Sequence, residues 1–496
     1  MKLLDSQAPV EGTEFAPEAE ALFREARKRE RRRRFGVALA VLLVAGGAGA
    51  AVAIIGGGAG RTVQTTVSSP LGKGGPTVDG KAFAHEGLLA FASNGALYVL
   101  DGATGTLREV GDLRSGAEEP SFSHDDRWLA YIAAGTVSSA SGFGPQAPYA
   151  PWSGPLVVSS ADGSPARRVT AVGSVEEATW SPNADLLLVV TANAGVYAGT
   201  AVWVVSPSGA ARKIFSGGNI YGAVWSPDGT QVAVAFAGSI PIREVTLETM
   251  SATGGRPTVW VHTYASNLQW LVPLGWWKDQ GIGAWIGGNG AVASGEGTLS
   301  GAELVLISAP GARILDLGKT PAIGLTPAVG SSTGWLALDD LAGNSWGRTP
   351  WSKGSIETCT PTIDRCRVVP EAKDMTSIDP VWSPDGRTLA FVEAPASTTG
   401  SFFNSFVRSW YGSGRLYLLK ERTTRPVPVP HSLGATAPQF SPGNDGFVYV
   451  ANDALYLVRT PRSTSVRIAG PLFPTKEWTS TYYGMIDWRF MFAWAK

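Results

Sequence analysis

Residues 378–394 read IDPVWSPDGRTLAFVEA, and the phrase returns with small changes along the chain. Its variants are PSFSHDDRWLAYIAA from Pro120, ATWSPNADLLLVVTA from Ala178, AVWSPDGTQVAVAFA from Ala223 and PQFSPGNDGFVYVAN from Pro438. Each copy has an apolar stretch ending in an aromatic, a four-residue turn, and a second apolar stretch alternating with a period of two. That is the pattern of a tight β-hairpin. In the turn Ser383, Pro384, Asp385, Gly386 the proline presets φ at about −65°, the aspartate can bond its own backbone, and the glycine takes the positive φ that ends the turn.

At 496 residues the chain exceeds what one ordinary core supports, and the recurrence decides for a repeat array over separate domains. Glycine (61), proline (33) and tryptophan (18) are abundant while charged residues are 17%, which suits many short strands joined by turns. An all-β fold is expected. Beyond residue 34, 32 basic residues face 34 acidic ones, so the main body has no basic footprint for nucleic acid.

Between Arg34 and Arg61 runs FGVALAVLLVAGGAGAAVAIIGGGAG, uncharged throughout and long enough to cross a bilayer once as a helix. Residues 24–34 (REARKRERRRR) form a basic flank of the kind that stays in the cytoplasm. A cleaved signal peptide is the competing reading, with Ala51, Val52 and Ala53 imitating a cleavage site; the length of the apolar run and of the preceding region favours an uncleaved anchor. The expected organisation is a cytoplasmic tail (1–34), a transmembrane helix (35–58), a flexible linker rich in Thr, Ser, Gly and Pro (59–82) and an extracytoplasmic domain (83–496).

Units start near 87, 119, 177, 222, 269, 325, 380 and 438, a full one holding four strands and the first only three, the signature of propeller blades. Eight blades are expected, seven if one of the degenerate units near 269 and 325 is an insertion. The first unit lacks an aromatic-ended opening strand. Tyr483 to Trp494 (YGMIDWRFMFAW) would supply it, with Asp487 and Trp488 at the aromatic position, closing the ring and removing free sheet edges.

The phrases Trp225–Gly229 and Trp382–Gly386, each followed by an alternating apolar strand and later by an LYLL or LYVL strand, resemble the repeats of TolB-type, WD40-like (PD40) β-propellers. The resemblance spans roughly residues 85–490 and implies fold alone. The N-terminal α/β domain of TolB is missing and an anchor replaces it, so no site or partner carries over.

Turns between first and second strands are short and share a face with those between third and fourth strands. Long insertions fall in second-to-third connections, at 134–154, 287–301, 341–354 and 394–414, and gather on the opposite face. They carry Phe143, Tyr149, Trp152, Trp346, Trp351, Phe402, Phe403, Phe406, Trp410 and Tyr411. Such aromatics either grip a protein or a cell-envelope glycan or fold over one another. Tryptophans 180, 225 and 382, with Phe122 and Phe440, recur at one repeat position and are read as core between blades.

Catalytic signals are weak. Gly343-Asn344-Ser345-Trp346-Gly347 matches a nucleophile elbow but is followed by Pro350 and glycines instead of a helix. The four histidines (His85, His124, His262, His431) lack metal-ligand spacing, and the acidic pairs Asp125/Asp126 and Asp339/Asp340 are adjacent on the chain, as turn and surface acids are. No cofactor, metal or catalytic residue is expected. Cys359 and Cys366 are the only cysteines and outside the membrane would form a disulfide across a hairpin. The sequence thus points to a single-pass, membrane-anchored binding scaffold or sensor; the alternative is a hydrolase or lyase acting on envelope polysaccharide in the central channel.

Overall fold

The structure, a computed structural model, describes residues 61–63, 75–472 and 491–496, except 94–95, 111–116, 134–153, 194–195, 239–243, 264–269, 288–291, 294–298, 301–302, 320–327, 330–335, 341–354, 361–364, 397–411, 422, 424 and 460–462. They belong to one compact unit, Gly58–Lys496. The expected tail and membrane segment lie outside the described residues, among which no helix is long and apolar enough to cross a membrane.

The strands form successive antiparallel units that follow chain order. Unit 2 comprises Ala117–Phe122, Trp128–Ala133, Gly154–Ser160 and Arg167–Arg168. Unit 3 has Ser174–Trp180, Leu187–Asn193, Val196–Val205 and the first part of Ala211–Trp225. The second part of that strand opens unit 4, with Gln231–Ala237, Val245–Ser251 and Thr258–Thr263. At the handover Gly217 and Gly218 have φ of 127° and 64°, a turn that favours glycine.

The expected degenerate units are both sheets. Unit 5 pairs Trp270–Trp277, Gly281–Gly287, Glu303–Ile307 and Leu315–Lys319, and unit 6 pairs Ala328–Val329, Leu336–Asp340, Ser355–Cys359 and Cys366–Val368. Apolar alternation survives there where the turn residues have drifted. Unit 7 holds Met375–Trp382, Thr388–Pro395, Arg415–Lys420 and Val427–Pro428. Unit 8 holds Thr436–Phe440, Phe447–Ala451, Ala454–Val458 and Val466–Gly470.

Hydrophobic clusters fill the seams between successive units. Trp180 packs with Ile132 and Val158 of unit 2, Trp225 with Val190 and Val202 of unit 3, and Phe391 with Ile356 of unit 6. Leu455 and Leu457 of unit 8 then pack on Phe91, Tyr98 and Leu100 of unit 1, so the order of contacts returns to its start. A ring of face-packed four-stranded sheets is a propeller-type fold. Each large side chain buried in a seam contributes about 1.5–3 kcal/mol, which makes the seams the main source of stability.

Unit 1 closes the ring with strands from both ends of the sequence. Phe492–Ala495 pairs with Leu88–Ser93, which pairs with Ala96–Asp101 and then Leu107–Val110. The expected aromatics Asp487-Trp488 lie outside the described residues; register sets Leu89 opposite Trp494, and it is Trp494, 5% exposed, that enters the seam with unit 8. The stretch expected to be a flexible linker also carries strands. Arg61–Val63 pairs with Leu107–Val110, Thr77–Val78 pairs with Val466–Gly470, and Val78 and Phe83 are buried in the seam. Its Thr and Val residues find outer sheet edges whose backbone groups need partners.

Candidate functional site

The two ends of the ring differ in how their backbone is satisfied. At the short-turn end Gly386 N–H donates to Ser383 O (2.7 Å) with φ of 68°, Ser383 Oγ donates to Asp385 Oδ1 (2.6 Å), and Thr388 N–H donates to Ser383 Oγ (2.9 Å). The same net recurs around Ser226/Asp228, Ser123/Asp125 and Ser441/Asp445. Neighbouring turns are stitched together: Asp385 N–H donates to Asn444 Oδ1 (3.3 Å), and the Asn183 amide donates to Asp228 O. The acidic pair Asp125/Asp126 belongs to this lacing. The Arg127 guanidinium joins Asp125 to Asp185 of unit 3, while Asp126 Oδ2 accepts the Lys496 N–H. His124 Nδ1 stands 3.6 Å from Asp185 Oδ1, but Arg127 already neutralises both carboxylates.

First strands of neighbouring units touch one another, which makes them the inward edges. Asp379 Oδ2 of unit 7 accepts Thr436 Oγ1–H (2.8 Å) and Ala437 N–H (3.1 Å) of unit 8, and Glu177 of unit 3 accepts Ala223 N–H of unit 4. Each of these acids lies three residues before the seam aromatic, at a β-bulge; Asp379 and Glu119 adopt φ of 53° and 54°. A bulge leaves an N–H without a ladder partner, and an acid from the preceding unit satisfies it. The signal was present as acid-Pro before the aromatic, in Glu119-Pro120 and Asp379-Pro380. Burial pushes Glu176 and Glu177 up to about 7, with Glu177 adding to the shift of Glu176. Two carboxyls at the inner edge of unit 3 are thus held well above the usual carboxylate range.

At the opposite, long-loop end of unit 7 the described residues form a cleft. It has a volume of about 390 Å³ and is lined by Arg415, Pro428, Val429, Pro430, His431, Ser432 and Leu433. Arg415 opens the third strand, immediately after the long 394–414 connection, and residues 429–433 lead into unit 8. Ser432 Oγ accepts Leu416 N–H (3.1 Å) and donates to Val429 O (2.8 Å), pinning the cleft floor. Across the sheet Glu393 stands opposite Arg415. Glu393 is 2% exposed; burial and neighbouring Glu371 push it up to about 7, and Tyr417 hydrogen-bonds to it. Ser377 Oγ donates to Glu371 Oε2 (3.4 Å), completing a buried polar group in the seam between units 6 and 7.

Of the sequence-derived candidates, the loop aromatics Phe143, Tyr149, Trp152, Trp346, Trp351, Phe402, Phe403, Phe406, Trp410 and Tyr411 all lie outside the described residues, as does the 343–347 motif. The described ends of their connections reach the long-loop end. Cys359 and Cys366 are paired across neighbouring strands, with S–S 2.09 Å and Cα–Cα 4.1 Å. The cleft was not foreseen, because Arg415 and His431 are 16 positions apart with nothing periodic linking them.

No protein-family model matches the chain, and no curated protein does. Solved structures with a similar course include an oligogalacturonate lyase in complex with manganese (14% identity, 81% of this chain and 98% of that one, TM-score 0.43). Others are dipeptidyl peptidase 4 of Porphyromonas gingivalis (9%, 81% and 62%, TM-score 0.49) and the β-propeller domain of the Trilobed protease from Pyrococcus furiosus (9%, 68% and 92%, TM-score 0.40). At these values they carry nothing about activity; the propeller-type class rests on the strand registers and the closed order of seams.

Proposed function

We propose that this chain is a membrane-anchored, extracytoplasmic, eight-bladed propeller of TolB type that binds a protein or cell-envelope glycan through its long-loop face without catalysis. The observation that carries the reading is the contrast between the two ends. Short turns spend their polar groups on one another, whereas the other end holds the long connections and a cleft with uncommitted Arg and His side chains. Binding sites concentrate on loops held by a rigid scaffold. The paired cysteines fit an oxidising compartment, and the basic flank at 24–34 fits a cytoplasmic tail.

The test uses the full chain reconstituted in membranes and partner capture from envelope material. Replacing 397–411 with a Gly/Ser segment of equal length should abolish capture, as should the double change Trp410→Ala and Tyr411→Ala. A short-turn variant, Asp228→Asn, should leave it intact. Capture that survives both loop changes would sink the reading. A polysaccharide hydrolase or lyase is the second reading, favoured by Glu176 and Glu177 on the inner wall with pKa values near 7. It requires that Glu177→Gln remove a measurable cleavage of envelope polysaccharide.

A further inference from the structure

We propose that the cleft at the long-loop end of unit 7 takes the free C-terminal carboxylate of a peptide whose last side chain is apolar; this rests on the binding reading above and names the partner's chemistry. Among the described residues the Arg415 guanidinium has no hydrogen bond or ion pair, and neither has the His431 imidazole. Two donor side chains without partners in one cleft invite an anion, and a planar guanidinium matches a carboxylate through two parallel hydrogen bonds. Glu393, which faces Arg415 across the sheet, does not take it: buried beside Glu371 and bonded to Tyr417, it holds its proton up to about pH 7.

The walls decide what the carboxylate is attached to. Pro428, Val429, Pro430 and Leu433 are apolar, and Leu433 is 54% exposed, so covering it with hydrocarbon is favourable. The one hydroxyl, on Ser432, is already committed as donor and acceptor. A uronate sugar would thus find few partners for its ring hydroxyls, while an apolar side chain would find a matching wall. Strand addition is closed off as well. Val429 N–H turns inward to Leu416 O (2.8 Å), so alternation turns Pro428 and Pro430 outward, where they offer no N–H for an incoming strand. The ligand must be held by its end.

The experiment measures fluorescence anisotropy of labelled Ala-Ala-Leu with full-length protein in detergent micelles. The free acid should bind saturably, the C-terminal amide at least tenfold more weakly, and Arg415→Ala should weaken the acid at least tenfold with an unchanged melting temperature. Arg415→Lys should recover part of the loss. Equal binding of acid and amide, or an unaffected Arg415→Ala, would overturn the proposal, as would binding of trigalacturonate in place of the peptide. If partner capture ignores the 397–411 replacement while the tripeptide still binds, the broader reading falls and the cleft's ligand stands. If capture needs that loop and the tripeptide does not bind, the reverse holds.

Discussion

The seams around units 3 and 4 and the seam between units 6 and 7 are built from the same repeat but fastened differently. Trp180 Nε1–H donates to Ser121 O of unit 2 at 3.0 Å, and Trp225 Nε1–H donates to Thr179 O of unit 3 at 2.9 Å. Each indole thus packs against the preceding unit and bonds to the residue just before that unit's own aromatic. Trp382 occupies the same repeat position, yet its Nε1 is buried without a partner. Unit 6, the unit before it, lacks the turn phrase that units 2 and 3 keep. The same seam buries Glu393 beside the half-buried Glu371. The repeat therefore supplies a uniform apolar interface, while its polar fastening depends on both neighbours keeping the phrase.

The largest effect should come from the seam fastened by strands rather than by an indole. Phe492–Ala495 completes unit 1, Trp494 Nε1–H donates to Glu86 O (2.5 Å), and Glu86 also pairs with Arg459 of unit 8 (2.6 Å). Deleting 491–496 removes the strand, the indole and four further buried side chains at once. Thermal unfolding followed by circular dichroism should lose its single cooperative transition, and limited proteolysis should cut unit 1 first. A melting temperature within a few degrees of the intact chain would show that the ring does not depend on this closure.

Next in size is the pH response of the seam between units 6 and 7. Glu393 is raised from 4.5 to about 7 by burial first and by Glu371 second. The folded state then holds a proton that the unfolded state has released, so the group's contribution to stability falls as pH rises from about 5 to about 7 and is level above that. The groups facing it are Glu371, Ser377, Tyr417 and Arg415, and the shift corresponds to a loss of about 1–3 kcal/mol. Urea titrations at pH 5 and pH 8 should show the native chain losing that much relative to Glu393→Gln. A difference from the variant that stays constant across the two pH values would refute the buried, proton-holding state.

Much of this was legible in advance. Period-two alternation placed the strands, Ser-Pro-Asp-Gly placed the hairpin turns, and a shared aromatic position placed Trp180, Trp225 and Trp382 in seams. What could not be read was whatever depends on the pairing of segments that share no pattern. The Asp379 bond to Ala437 N–H needs units 7 and 8 packed together, the docking of Thr77–Val78 on Val466–Gly470 needs both ends of the ring, and Arg415 and His431 share a cleft only once the third and fourth strands of unit 7 have paired. Closure itself was expected, but the aromatic was placed six residues early, because a strand of mixed apolar residues fixes no register until its partner Leu88–Ser93 is in place.

The smallest expected effect is the most direct test of the opening contrast. Changing tryptophan to phenylalanine removes the same ring volume wherever it is made in equivalent seams, so comparing two sites cancels most of the packing loss. At Trp180 the change also strips Ser121 O of its donor, which costs about 1 kcal/mol or somewhat more where water cannot replace it. At Trp382 no bond is lost, and a buried, unpartnered N–H is removed, which is favourable. Trp180→Phe should therefore destabilise by about 1–2 kcal/mol more than Trp382→Phe in denaturant midpoints at constant slope. Equal costs would mean that the indole bonds contribute nothing net and that the seams differ only in their apolar packing.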